Sequence, residues 1–367
     1  MPDFMIIVLI VLAVVAAGFA VWGVLRYRYV KSLRDKGWTF ITSPDISIAY
    51  GLNRPPFGVG FQRSVDDQIV GAAPDGTPFS AFRYRSSEWS TSGYVVAMPL
   101  GRSLPPTEIT ASGPWRVQVD HAWIVLVEAP KDAESLERAI VELAELRGGV
   151  LASSGPDVIG PPPPPGLSFH ERPWWRYVPR DDSFLDYVSH TRGGRNHQAH
   201  DIVHSENAGL PFVRLRHDWE TTRTVRDSEG RTRTEVDHHS EVLCEFRAAF
   251  PFRPLSVNWG WLGKTQKFEL EAFNDRCKVR APDARFASHV IHQRQMDYLL
   301  SLGRPSFTIE ADGRILVGDA RGWEPTDIDR ADQLLRGFFA RVPDYVWKEL
   351  GAWPRPIPEL EPGPAPA

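Results

Sequence analysis

The sequence predicts an α+β chain, with an N-terminal transmembrane helix followed by two tandem related domains of antiparallel sheet and a few helices. Three observations predict it. Phe4 to Leu25 carries no charged residue. Blocks of sequence in the first half recur in the second. Short alternating stretches outnumber helix-spaced ones, which argues hairpins with segregated helices.

In chain order, residues 1–3 are a short lead segment. Residues 4–25, at about 1.5 Å per helical residue, would extend about 33 Å, against about 30 Å for a bilayer core. A cleaved signal peptide fits less well, because the segment before the apolar run holds Asp3 and no base. Residues 26–36 hold Arg26, Arg28, Lys31, Arg34 and Lys36. That basic excess predicts a single-pass protein of the cell membrane with its C-terminal domains in the cytoplasm and the lipid bilayer as partner of 4–25.

Residues 37–147 read as a first, abbreviated α+β domain. Ile69-Val70, Phe79 to Tyr84 and Val117 to Val127 are strand-like, with Pro74-Asp75-Gly76 as a hairpin signal. A helix from Ala133 to Leu146 closes it. Residues 148–168 form a linker that includes the five prolines Pro161 to Pro165, a composition that favours extended polyproline II. Residues 169–353 read as the full-length second domain. Trp38-Thr39-Phe40 matches Trp175-Arg176-Tyr177, and Pro78-Phe79-Ser80-Ala81-Phe82-Arg83 matches Pro211-Phe212-Val213-Arg214-Leu215-Arg216. Ile69-Val70 is set against Ile202-Val203 without a gap. Strands are expected at Phe212 to Val225, Arg231 to Phe250, Phe268 to Glu271, Cys277 to Val279, Phe307 to Ile309 and Ile315 to Val317. A helix from Ala284 to Leu302 takes Asp283 as its cap, and another from Ile328 to Arg341 takes Thr326 or Asp327. Residues 354–367 are a Pro-rich tail of disordered composition.

Glu271-Ala272-Phe273-Asn274, then Cys277-Lys278-Val279, Asp283, and Met296 with Leu299 or Leu300 downstream form a recognisable pattern. It resembles membrane-anchored actinobacterial proteins of unknown function with a duplicated domain and a Glu-x-Phe-Asn motif. The resemblance implies the architecture above and no reaction.

Formal charge is −4, so no broad basic surface is implied and no nucleic-acid partner is expected. The hairpin from Thr221 to Asp237 sets Arg223, Arg226, Arg231 and Arg233 against Asp227, Glu229, Glu235 and Asp237, a balanced solvated ribbon. Gly263-Lys264-Thr265 lacks the second glycine of a phosphate loop, Asn258 standing where it is needed. No nucleophile-elbow or zinc-protease motif occurs. Cys244 and Cys277 are expected as buried reduced thiols, with a disulfide as the alternative.

The densest polar group is His190, His197, His200 and His204. His197, His200 and His204 at helical spacing would share a face and could hold zinc, with His238 or His239 as a further ligand. The same stretch also reads as a strand, with His200 and His204 on one face, and the matching stretch Asp67 to Gly71 has no histidine. The leading expectation is a membrane-tethered binding or scaffold protein with a protein partner and no catalytic residues or cofactor. The alternatives are a metal-dependent hydrolase using the histidine group, and outward-facing domains serving envelope assembly.

Overall fold

The computed structural model describes residues 2–110, 115–190, 192–206, 209–226, 232–260, 265–318 and 322–358, with side chains of the first helix from Val15 onward. The chain divides into two compact units, Met1–Pro173 and Trp174–Ala367.

Helix α1 (Pro2–Asp35) opens the first unit. The expected transmembrane helix over 4–25 is corrected here: among the described residues no helix is long and apolar enough to cross a membrane. Arg26, Arg28, Lys31, Arg34 and Asp35 lie in the same unbroken helix.

The first sheet contains β1 (Thr39–Ile41), β2 (Ser64–Ala72), β3 (Pro78–Arg85), β4 (Tyr94–Pro99), β5 (Thr107–Ile109), β6 (Arg116–Asp120) and β7 (Trp123–Ala129). Their order across the sheet is β1-β2-β3-β4-β7-β6-β5, every neighbour antiparallel. Helix α2 (Ala133–Ser153) packs on it. Its Leu136, Ala139, Ile140 and Leu143 lie at i, i+3, i+4 and i+7, and all are buried against Trp38, Ile69, Phe79, Val96 and Leu126. Asp132 caps it by accepting from Ser135 N at 2.8 Å. The helix extends beyond the expected Leu146 and takes in the start of the expected linker. The segment after α2 is tied down: Arg102 donates to the carbonyls of Ser154 and Gly155 at 2.6 and 3.0 Å. A two-residue strand, β8 (Leu167–Ser168), lies near the end of the unit.

The second unit holds β9 (Arg176–Arg180), β10 (Arg195–Ser205), β11 (Phe212–Arg226), β12 (Thr232–Arg247), β13 (Leu255–Trp259), β14 (Cys277–Arg280), β15 (Phe307–Ile309) and β16 (Arg314–Val317). Their order is β14-β13-β15-β16-β12-β11-β10-β9. Reading inward from β1 and from β9, the two orders run in parallel, with β7-β6 of one unit standing where β16-β15 stand in the other. The insertion between β13 and β15 carries α3 (Glu271–Arg276), β14, α4 (Ala284–Val290) and α5 (Gln293–Ser301); α6 (Pro325–Ala340) and α7 (Asp344–Glu349) come after β16.

Several local expectations change. Phe268 to Glu271 is not a strand, because α3 starts at Glu271. The helix expected from Ala284 to Leu302 is two, broken at Ile291-His292, where His292 Nε2 hydrogen-bonds the Arg341 carbonyl at 3.0 Å. Asp283 does cap α4, accepting from Phe286 N at 3.0 Å. Helix α6 is capped by Glu324, with Pro325 at its first position and Asp327 completing a capping box. Both cysteines are free and buried. Gly263-Lys264, Trp261, the hairpin tip 227–231 and most of the Pro-rich tail lie outside the described residues.

Candidate metal centre

Strands β10, β11 and β12 form a ribbon whose pairing decides which side chains meet. His217 on β11 lies opposite Ala199 on β10 and Glu241 on β12. Because side chains alternate along a strand, Leu215, His217 and Trp219 share one face with Leu243, Glu241 and His239. Near its start β10 has a bulge between Arg195 and Gln198, with Asn196 at φ 54°. Asparagine tolerates that left-handed backbone, and the bulge brings His197 beside His217. Gly194 enters the turn at φ 135°, and a Cβ there would meet the Glu220 carbonyl oxygen, so the approach needs glycine.

The third member comes from outside the ribbon. Asp181 caps a 3-10 helix (Asp182–Tyr187) by accepting from Ser183 N at 3.0 Å. Phe184, Leu185 and Val188 then pack on Ala199, Ile202, Leu215 and Leu243. That small apolar patch lays 188–190 along the ribbon, and the Ser189 amide donates to the Glu245 carboxylate. His190 arrives with its ring 4.7 Å from that of His217 and 5.4 Å from that of His197.

One nitrogen from each of His190, His197 and His217 lies within 4.8 Å of the other two. His197 Nδ1 is 2.8 Å from His217 Nε2. His217 is fully buried, and its Nδ1 is 3.2 Å from Glu241 Oε1. With the proton on Nδ1 donated to Glu241, the Nε2 lone pair of His217 faces into the cluster. His190 Nδ1 is buried with no hydrogen-bond partner.

Desolvation favours a neutral imidazole at the centre. Burial holds the His217 imidazolium below the usual histidine range; Glu241 opposes that, and His190 reinforces it. Burial also works against the Glu241 carboxylate, yet hydrogen bonds from Arg192 and His217 keep it below its ordinary range. Arg192 donates to Glu241 Oε2 from Nε at 3.0 Å and from a terminal nitrogen at 2.8 Å. Its guanidinium lies 5.7 Å from the Trp219 ring centroid. Trp219 stacks between His217 at 4.9 Å and His239 at 5.1 Å.

Of the three histidines expected as ligands, only His197 joins the cluster. A second bulge, at Asp201 with φ 50°, puts His200 opposite Arg216 but His204 opposite Val213, three residues apart and so on opposite faces. His200 Nε2 instead meets Gln198 Oε1 at 3.1 Å, and His204 packs its ring 5.2 Å from Phe184. His239 is taken by Thr221 Oγ1 at 2.7 Å, and His238 is exposed, 3.5 Å from Glu220. Sequence spacing missed His217, which lies in a different strand. The available signal was parity: in a strand reading, Ala199 and His197 alternate onto one face.

The Glu-x-Phe-Asn segment has a structural explanation. Phe273 is fully buried, and the Asn274 side chain accepts from Phe268 N at 2.9 Å and donates to Phe268 O at 2.7 Å. It closes the loop before α3 as a backbone pair would. Compared with known proteins, the chain matches no family model, no curated protein and no solved structure.

Proposed function

We propose that this protein binds a divalent transition-metal ion of the zinc class through His190, His197 and His217 of its second unit. The observation that carries the reading is the meeting of three imidazole nitrogens from three separate chain segments within 4.8 Å. Imidazole suits zinc and its neighbours in the first transition row. Tetrahedral zinc with bonds of about 2.0–2.1 Å sets its ligand nitrogens about 3.3 Å apart. The 2.8 Å pair of His197 and His217 would open by about 0.5 Å, while His190 closes in.

The outer partners support the same reading. A ligand histidine is held in orientation by a carboxylate on its other nitrogen, as Glu241 holds His217. Three protein ligands leave a tetrahedral ion one further position, open to water or an exogenous ligand. Glu241 is committed to His217 and Arg192, so the proposal is metal binding and does not extend to hydrolysis.

The test is titration of metal-free full-length protein with Zn²⁺ by calorimetry, and with Co²⁺ by visible absorption. One ion per chain is expected, with tetrahedral Co²⁺ bands. His197→Ala and His217→Ala should each abolish tight uptake while circular dichroism stays unchanged. No uptake by the wild type, or equal uptake by both variants, would sink the reading and leave the cluster as packed aromatic rings.

A further inference from the structure

The segment that delivers His190 also walls a cavity. Residues 181–190 leave β9 and end at the histidine cluster. Earlier along this strap, Ser183, Phe184 and Tyr187 line a cavity of about 580 Å³. From the sheet it is lined by His204 of β10, Val213 of β11 and Phe246 of β12. That volume falls within the ordinary range for small-molecule sites. One strap therefore joins the cavity to the three histidines.

The strap is lightly held. Its helix is 3-10, whose hydrogen bonds have poorer geometry than those of an α-helix. Of residues 181–190 only Val188 is buried. Asp181 N donates to the Ala199 carbonyl at 3.3 Å, and the Asp182 carboxylate accepts from Ala199 N at 3.0 Å. Ser189 N donates to Glu245. A segment with so little burial opens at a small cost in free energy.

The end of the strap also carries a penalty when closed. His190 Nδ1 and Ser189 Oγ are both shut off from solvent without a hydrogen-bond partner. Lifting the strap would return both atoms to water, which disfavours the closed position. A metal ion shifts this balance. His197 and His217 belong to β10 and β11, so an ion gains His190 only while the strap lies on the ribbon. An ion that needs all three nitrogens binds the closed form and not the open one, and stabilises closure by mass action.

From this arrangement we infer that the ion is a latch. Metal uptake at His190, His197 and His217 closes the strap on the ribbon. Metal release frees the wall of the cavity that bears Phe184 and Tyr187. The latch rests on the metal binding proposed above, and adds a movement that binding alone does not require.

The experiment is hydrogen exchange of the full chain, read by mass spectrometry on peptides covering 181–190. It compares metal-free protein with protein in free Zn²⁺ at about 100 times the calorimetric Kd, where opening is suppressed about 100-fold if the open form has no affinity. The amides of Phe184, Val188 and Ser189 should slow at least tenfold. His190→Ala, which keeps both ribbon histidines, should abolish that slowing at the same zinc concentration. His190→Gln, closer in volume, takes its place if circular dichroism shows that the alanine variant does not fold. Zinc uptake with less than twofold slowing of the strap would overturn the latch and leave metal binding standing. Equal slowing in the His190 variant would overturn it too. Absence of zinc uptake by the wild type would overturn the latch and the metal reading together.

Discussion

The two units solve the same packing problem at their second and third strands and then diverge at one position. In the first, Trp38 meets Phe79 edge-on at 5.2 Å; in the second, Trp175 meets Phe212 edge-on at 5.1 Å. Both bulges carry an aspartate at φ 50°, Asp67 and Asp201. Each pairs with an arginine on the next strand, Arg83 at 3.3 Å and Arg216 at 3.1 Å. Val65 lies opposite Tyr84, as Ala199 lies opposite His217. Tyr84 is fully buried, its ring 4.7 Å from Phe57 and its hydroxyl unpartnered, and burial pushes its pKa up to about 12. His217 at the matching place has Glu241 behind it and two histidines beside it. The shared frame therefore supplies a buried, well-fixed position. Chemistry enters through the side chain placed there, through the lengthened β11–β12 ribbon that brings Glu241 and Trp219 around it, and through Arg192 from the segment before β10.

The shared packing predicts the heaviest losses. Trp175→Ala and Trp38→Ala each remove a buried aromatic pair and should cost about 3–5 kcal/mol. Denaturant unfolding should show each loss in its own unit, and a cost under about 1 kcal/mol for either would deny the common packing role. The bulge aspartates should differ. Asp201 is 6% exposed and also accepts from Tyr177 Oη at 2.6 Å, so Asp201→Ala should cost about 3 kcal/mol. Asp67 keeps a more open side chain and Asp67→Ala should cost about 1 kcal/mol or less. Equal losses would mean that the two bulges carry the same electrostatic burden. Glu241→Gln tests the partner that only the second unit has: zinc affinity should fall about 10–100-fold with the fold intact, and no change would remove Glu241 from the site.

A weaker dependence is expected on pH. Burial depresses the folded-state pKa of both His217 and His204. Below about pH 6.5 the unfolded chain therefore binds protons that the folded chain refuses, and unfolding takes protons up. Stability of the metal-free protein should be full above that pH and decline as pH falls from about 6.5 through the lower folded-state values. Denaturant midpoints at pH 7.5 and 5.5 measure this. His217→Phe should flatten the decline, and an unaltered slope would take His217 out of it.

Much of the fold could be read from residues alone, because hairpin strands and α2 announce themselves by local alternation and helical spacing. Trp38 and Trp175 marked the repeat for the same reason, since each anchors a strand start. Three things were not local. The span expected at 4–25 was read from an uncharged stretch and the basic residues after it, whereas among the described residues no helix is long and apolar enough to cross a membrane. The face shared by His200 and His204 was lost to the bulge at Asp201, which alternation cannot foresee. The histidine cluster needed the β10–β11 register and a loop laid down by Phe184, Leu185 and Val188, both tertiary facts.

Metal binding at the three histidines is best tested with a crystal of the zinc-loaded protein measured on either side of the zinc absorption edge. One anomalous peak is expected in the second unit, about 2.0–2.1 Å from a nitrogen of each of His190, His197 and His217, with nothing beside Tyr84. A peak elsewhere, or none at the three histidines, would contradict it.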